Sequence, residues 1–131
     1  MINILEYSDI TFPEDFLWGA STAGQQIEGN NNSFYDDKDI APKFAYGGVP
    51  YQMAGRACNS YEMYKEDIAL LKKMHLNSYR MSLEWSRIEP IEGQFNEKEI
   101  EHYKDVLKEL KKNGIKVCLT LHHNSHPIWF H

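Results

Sequence analysis

An α/β fold of parallel strands joined by right-handed helical crossovers is what the 131-residue sequence predicts. Three observations predict it. Two segments carry apolar residues at helical spacing, and each opens on an asparagine with a glutamate three residues on. A short strand-like run follows each of them. The two units are also in phase: Asn59 to Asn96 is 37 residues, and Asn77 to Gly114 is again 37. That is close to the roughly 30 residues a βαβ unit needs. Strand, helix, strand, helix, strand fits a barrel or a doubly wound sheet, and periodicity does not choose between them.

The first element is Phe16 to Gly29, an apolar run that turns small and polar. It reads as a buried strand opening at its C-terminal end into a polar pocket. Gln26 and Glu28, two apart on an extended segment, would share a side. A long irregular stretch follows from Gly29 to Cys58, with Asn30-Asn31-Asn32, Gly47-Gly48 and Pro50. Phe34, Tyr35, Phe44, Tyr46 and Tyr51 make it either the wall of a site or an ordered surface loop whose aromatics pack inward.

The first helix is expected from the N-cap Asn59 with Glu62 as its capping box, and a stripe of Tyr61, Tyr64, Ile68, Leu71 and Met74. The strand Ser78 to Leu83 comes next. The second helix is expected from Asn96 with Glu99, a stripe of Ile100, Tyr103, Leu107 and Leu110, and a stop at Asn113-Gly114. The strand Ile115 to Leu121 closes the series.

Charge and composition narrow the function. The net charge is −5 and no basic patch dominates, so nucleic acid is not expected as a partner. Alternating Lys and Glu along the helices read as solvated faces. Met1 to Tyr7 has neither a basic n-region nor a long apolar core, and no run reaches membrane-spanning length. No membrane partner is expected. Cys58 and Cys118 read as free thiols, and a cytoplasmic location is the expectation.

Four blocks carry a resemblance. Phe16 to Gly29, FLWGASTAGQQIEG, resembles the N-terminal signature of family 1 glycoside hydrolases, the β-glucosidase and β-galactosidase family. Asn59-Ser60-Tyr61-Glu62 with Tyr64-Lys65-Glu66-Asp67-Ile68 is similar to that family's first long helix. NSYRMSLEWSRIEP, from Asn77 to Pro90, is similar to its second strand and the turn after it. Leu119-Thr120-Leu121-His122-His123, followed by Pro127 and Trp129, is similar to its third strand and loop. The resemblance selects the barrel and implies the N-terminal part, about three βα units, of a TIM (β/α)8 fold. A whole barrel takes about 250 residues. Residues 1–131 are therefore expected to be one truncated segment of a single domain, with the remaining barrel or another chain covering its open sheet edges.

The resemblance also implies an activity: retaining hydrolysis of β-linked glucosides or galactosides through a covalent glycosyl-enzyme, with no cofactor. That chemistry needs two carboxyl groups roughly 5–5.5 Å apart. The family carries them in Asn-Glu-Pro and Glu-Asn-Gly motifs, and neither motif occurs here. No catalytic carboxylate is expected within this chain, and the chain alone is expected to be inactive. The rival within the sequence is Glu28 with Glu84, although Glu84 beside Trp85-Ser86-Arg87 reads more simply as the partner of a base.

By the same resemblance Gln26 and His123 bind the non-reducing sugar, and Arg80 supports the absent nucleophile. The plainer readings are a core amide for Gln26 and an ion pair with Glu28 or Glu84 for Arg80. Asn124 stands where the family usually has Trp or Phe, and Ser125-His126-Pro127 replaces the usual turn, so Asn124 is a third substrate-binding candidate. His122, His123, His126 and His131 invite a metal reading. Adjacent strand residues face opposite sides, however, and no acid or Cys completes a ligand set, so no metal is expected. Trp18, Trp85 and Trp129 read as core, with Trp129 the best candidate for a sugar platform. Two rival functions are a non-catalytic carbohydrate-binding module or pseudoenzyme, and a subunit that completes its barrel with another chain.

Overall fold

The computed structural model describes residues 11–44 and 53–131. The leader reading of Met1 to Tyr7, and Tyr46, Gly47-Gly48, Pro50 and Tyr51 of the long loop, lie outside the described residues. Three parallel strands, β1 (Gly19–Ser21), β2 (Ser78–Ser82) and β3 (Lys116–Thr120), form one sheet in the order β1-β2-β3. In register, Ala20 faces Tyr79, which faces Val117; Arg80 lies between Ser21 and Cys118. Two short helices, α1 (Gly24–Ile27) and α3 (Trp85–Ile88), follow the first two strands. The long helices α2 (Ser60–Lys73) and α4 (Glu97–Lys112) make the crossovers.

The core lies between the long helices and one face of the sheet. Ile68 and Leu71 of α2, Tyr103, Val106 and Leu110 of α4, Met81 of β2, and Ile115 are buried together. Leu110 is 0% exposed, and full burial of one such side chain contributes about 1.5–3 kcal/mol. Side chains alternate across a strand, so Tyr79 and Met81 face this core and Arg80 rises from the opposite face. Sequence spacing placed most of the stripe, but Met74 is 60% exposed and Val106 takes a core place. Met74 caps the helix C-terminus, where the turn to β2 carries it away from the packed face.

The helix ends differ from expectation at one start and agree at one stop. Asn96 caps α4, its Oδ1 accepting from the Lys98 amide at 3.1 Å. Asn59 makes no side-chain cap, because its backbone is left-handed at φ 57° and turns the amide away. Neither capping box closes: Asn59 gives no side-chain cap, and in α4 Glu99 instead accepts from Tyr61 Oη at 2.8 Å and so ties α4 to α2. The stop at Asn113-Gly114 forms as read: Gly114 is at φ 71°, its amide donates to Lys111 O, and Ile115 N donates to Leu110 O, both at 3.0 Å. His75 repeats this motif after α2 at φ 58°, with His75 N to Lys72 O and Leu76 N to Leu71 O, again at 3.0 Å.

The first strand is not buried. Phe16, Leu17 and Trp18 are 38%, 50% and 47% exposed, and Phe12, Phe16 and Trp18 pack on one another with ring centroids 4.7 Å apart. The physical reason is position: among the described residues β1 pairs with β2 alone, so this segment has cover on one side. The segment also does not stay extended. Gly24–Ile27 closes a helical turn, with Glu28 N donating to Gly24 O at 2.9 Å and Gly24 N to Ser82 Oγ at 2.8 Å. Gln26 and Glu28 therefore do not share a side: Gln26 is exposed and Glu28 is buried. Gly29 sits at φ 79° where a Cβ would fall 1.9 Å from Arg56 O, so the chain needs glycine there.

Within its described residues the long loop is ordered. Ser33 caps a 3-10 turn over Phe34–Asp36, and a second turn spans Ala41–Phe44. Phe34 is buried, its amide donates to His126 O at 3.1 Å, and its ring stacks on His126 at 4.1 Å. Ser33 and Pro127 form an antiparallel bridge. The loop after β1 is thus fastened to the loop after β3.

Candidate active site

Arg80 holds the centre. An arginine on an apolar strand must satisfy its guanidinium, and here every partner is neutral. Nε donates to Thr120 Oγ1 at 2.9 Å, Nη1 to Thr22 O at 3.0 Å and to Ser21 Oγ at 3.5 Å, and Nη2 meets His123 Nδ1 at 2.5 Å. One side chain on the middle strand thereby joins the exits of β1 and β3. Among the described residues Arg80 pairs with no carboxylate, and the expected ion pair with Glu28 or Glu84 does not form. His123 lies just beyond β3, and its carbonyl accepts from Ser125 N at 2.8 Å. Asn124, between them, is exposed and left-handed at φ 64°, a conformation asparagine tolerates better than an aromatic residue.

The Glu28 and Glu84 carboxylates lie in the packed interior. Glu28 Oε2 accepts from Arg87 Nε at 3.0 Å, and both its oxygens lie 3.0 Å from the donating Tyr103 hydroxyl. Arg87 also donates to Asn31 Oδ1 at 3.1 Å and to Gly29 O at 2.5 Å, and its guanidinium lies 4.2 Å over the Tyr61 ring. Burial nonetheless outweighs these partners and raises the Glu28 carboxyl from 4.5 to about 7. Glu84 is 0% exposed and accepts from Ser86 Oγ at 2.9 Å and from Ser125 Oγ at 2.8 Å. Burial raises its pKa as well. So Glu84 does not partner a base: Arg87 turns to Glu28, and Glu84 is held by two serines. Gly24 lies against both acids, where a Cβ would meet Glu28 Oε1 at 3.1 Å and Glu84 Cβ at 3.5 Å.

Further side chains play parts that sequence reading assigned differently or missed. Gln25, beside Gln26, is buried and donates to Asp36 Oδ2 at 2.9 Å while accepting from Asn31 Nδ2 at 3.2 Å, and Ser33 Oγ lies 2.8 Å from its Oε1. It is therefore the core amide, which leaves Gln26 facing out. Trp129 is held by its indole N–H donating to Glu89 O at 2.9 Å and packs edge-on to Trp85 at 5.5 Å. Cys58 and Cys118 are free and exposed. No helix among the described residues is long and apolar enough to cross a membrane.

A polar site at the C-terminal ends of parallel strands, with helices packed on the outer face, is the construction of the (β/α)8-barrel enzymes. Here it is the opening part of such a barrel. Residues 8–131 match the family described as glycosyl hydrolase family 1, and the chain belongs to that family. It is 40% identical over 120 residues to β-glucosidase A of Acetivibrio thermocellus, covering 88% of this chain and 27% of the relative. Among solved structures, β-glycosidase BGL167 matches at 42% identity with a TM-score of 0.77, over 91% of this chain and 28% of that one. The family 1 β-glucosidase from Thermotoga maritima matches at 32% identity and a TM-score of 0.79, over 91% and 28%. The chain thus spans about a quarter of the length of the relatives it matches.

Proposed function

We propose that these residues are the N-terminal part of a retaining β-glycosidase acting on β-linked glucosides or galactosides. The observation that carries the reading is Arg80: a fixed cation at the C-terminal end of the sheet, held by neutral groups and by no carboxylate among the described residues. Such a cation suits a nucleophile carboxylate supplied from beyond residues 1–131, which it would keep ionised. In the reaction proposed, that carboxylate bonds to the anomeric carbon as the glycosidic C–O bond breaks. A second carboxyl group protonates the leaving oxygen, then takes a proton from the water that releases the sugar. Gln26 and His123 would grip sugar hydroxyls, with Asn124 at the edge. No cofactor takes part. The relatives' β-glucosidase names support the substrate class.

The test uses the full-length gene product and an aryl β-glucoside. Hydrolysis with retention at the anomeric carbon is expected, and Gln26→Ala and His123→Ala should each lower kcat/KM by roughly tenfold to a hundredfold. Inversion, or unchanged kcat/KM in both variants, refutes the reading. The 131-residue chain alone should show no turnover. Turnover abolished by Glu28→Gln would restore the Glu28 and Glu84 pair.

A further inference from the structure

We infer that Arg80 acts as a positioning residue for His123, fixing the imidazole as the Nε2–H tautomer so that the ring offers substrate a donor and never an acceptor. The inference rests on the glycosidase reading above for its substrate, but not for its geometry. A guanidinium carries only donors. His123 Nδ1 lies 2.5 Å from Arg80 Nη2, so Nδ1 must accept, and it cannot hold a proton in this pose. The single ring proton is then on Nε2, and no hydrogen bond to Nε2 is formed among the described residues.

The arrangement is built rather than incidental. Arg80 cannot swing away without giving up Thr120 Oγ1 and Thr22 O. His123 is held from the other side by its carbonyl contact with Ser125, whose hydroxyl donates to the buried Glu84 at 2.8 Å. The ring thus meets a cation on β2, and its backbone belongs to a loop anchored to the interior. Nε2 is left as a directed donor. The substrate atom that meets it must accept a hydrogen bond, which suits a hydroxyl or an ether oxygen and rejects a group that can only donate.

The deciding experiment is nuclear magnetic resonance on the full-length gene product labelled with ¹⁵N at histidine, with His123 assigned by its loss in His123→Gln. At neutral pH, His123 should show an unprotonated Nδ1 and a protonated Nε2. A protonated Nδ1, alone or with Nε2, overturns the inference. Arg80→Lys should keep the tautomer and Arg80→Met should mix it. If Arg80→Met does not fold, the wild-type spectrum still decides. A second reading uses glycosides with one hydroxyl at a time replaced by hydrogen or by fluorine, which accepts weakly and cannot donate. At the position facing His123, hydrogen should cost roughly tenfold to a hundredfold in kcat/KM, and fluorine less. In His123→Ala that difference should vanish, and fluorine's electron-withdrawing effect cancels in the comparison. Equal losses for hydrogen and fluorine refute the donor role. No hydrolysis of any glycoside would instead count against the glycosidase reading and leave the tautomer to the spectrum.

Discussion

Replacing Glu28 by Gln tests whether burial or the surrounding donors govern the interior acid. The carboxyl titrates at about 7 in the folded chain against 4.5 when free, with burial the largest cause. Between those values the folded state holds a proton that the unfolded state has lost, so stability falls as pH rises through the window. The gap corresponds to about 3 kcal/mol, present in full below 4.5 and lost by the time pH passes about 7. Glu28→Gln cannot titrate, and its amide oxygen can still accept from Arg87 or Tyr103. The assay is urea unfolding of wild type and Glu28→Gln across this pH range, on the gene product that carries the whole barrel. The wild-type minus variant stability should drop by about 3 kcal/mol from the acid to the neutral side. A flat difference, or one that grows in favour of wild type as pH rises, would show that Arg87 and Tyr103 outweigh burial and keep Glu28 ionised.

The other predictions concern assembly and the turns. Residues 1–131 by themselves should associate or stay molten, because β1 and β3 leave open edges and Leu17, Trp18 and Leu121 are 50%, 47% and 70% exposed; a sharp, monomeric melt with a monomer elution volume refutes this. His75→Gly should stabilise the protein by about 0.5–1 kcal/mol, relieving a left-handed histidine at the end of α2. Gly114→Ala should destabilise it by about 1 kcal/mol at the matching turn, since alanine must adopt φ 71°. Equal melting temperatures for both variants and wild type would contradict the two claims.

The long elements were legible because their signals are periodic. Ile68, Leu71, Tyr103 and Leu110 lie at helical spacing and meet in one core. The strands Ser78–Ser82 and Lys116–Thr120 fall inside the runs read for them. The turn Gly24–Ile27 was not legible, since four residues are too few to show a period. What bends it is Ser82, distant in sequence, which captures the Gly24 amide. The Glu28–Arg87 pair was hidden likewise: its partners are 59 residues apart, and α1 and α3 bring them together. The exposure of Phe16 to Trp18 was missed because apolar composition signals burial, whereas β1, paired among the described residues with β2 alone, has cover on one side. Among the site candidates, the Arg80 and His123 side chains meet, Gln26 faces out, and Asn124 is exposed.

The fastening of the first loop to the third has a consequence for how this surface can change. Ser33 and Pro127 share a bridge, and Phe34 gives its amide to His126 and lays its ring on the same imidazole. Residues 33–34 and 126–127 are therefore coupled through backbone and ring contacts. Exchanging residues 124–131 for a relative's loop while keeping 30–36 would remove the imidazole stacked on the buried Phe34 ring while its contact with Tyr35 stays. A loop exchange with another member of the family should therefore move both segments together.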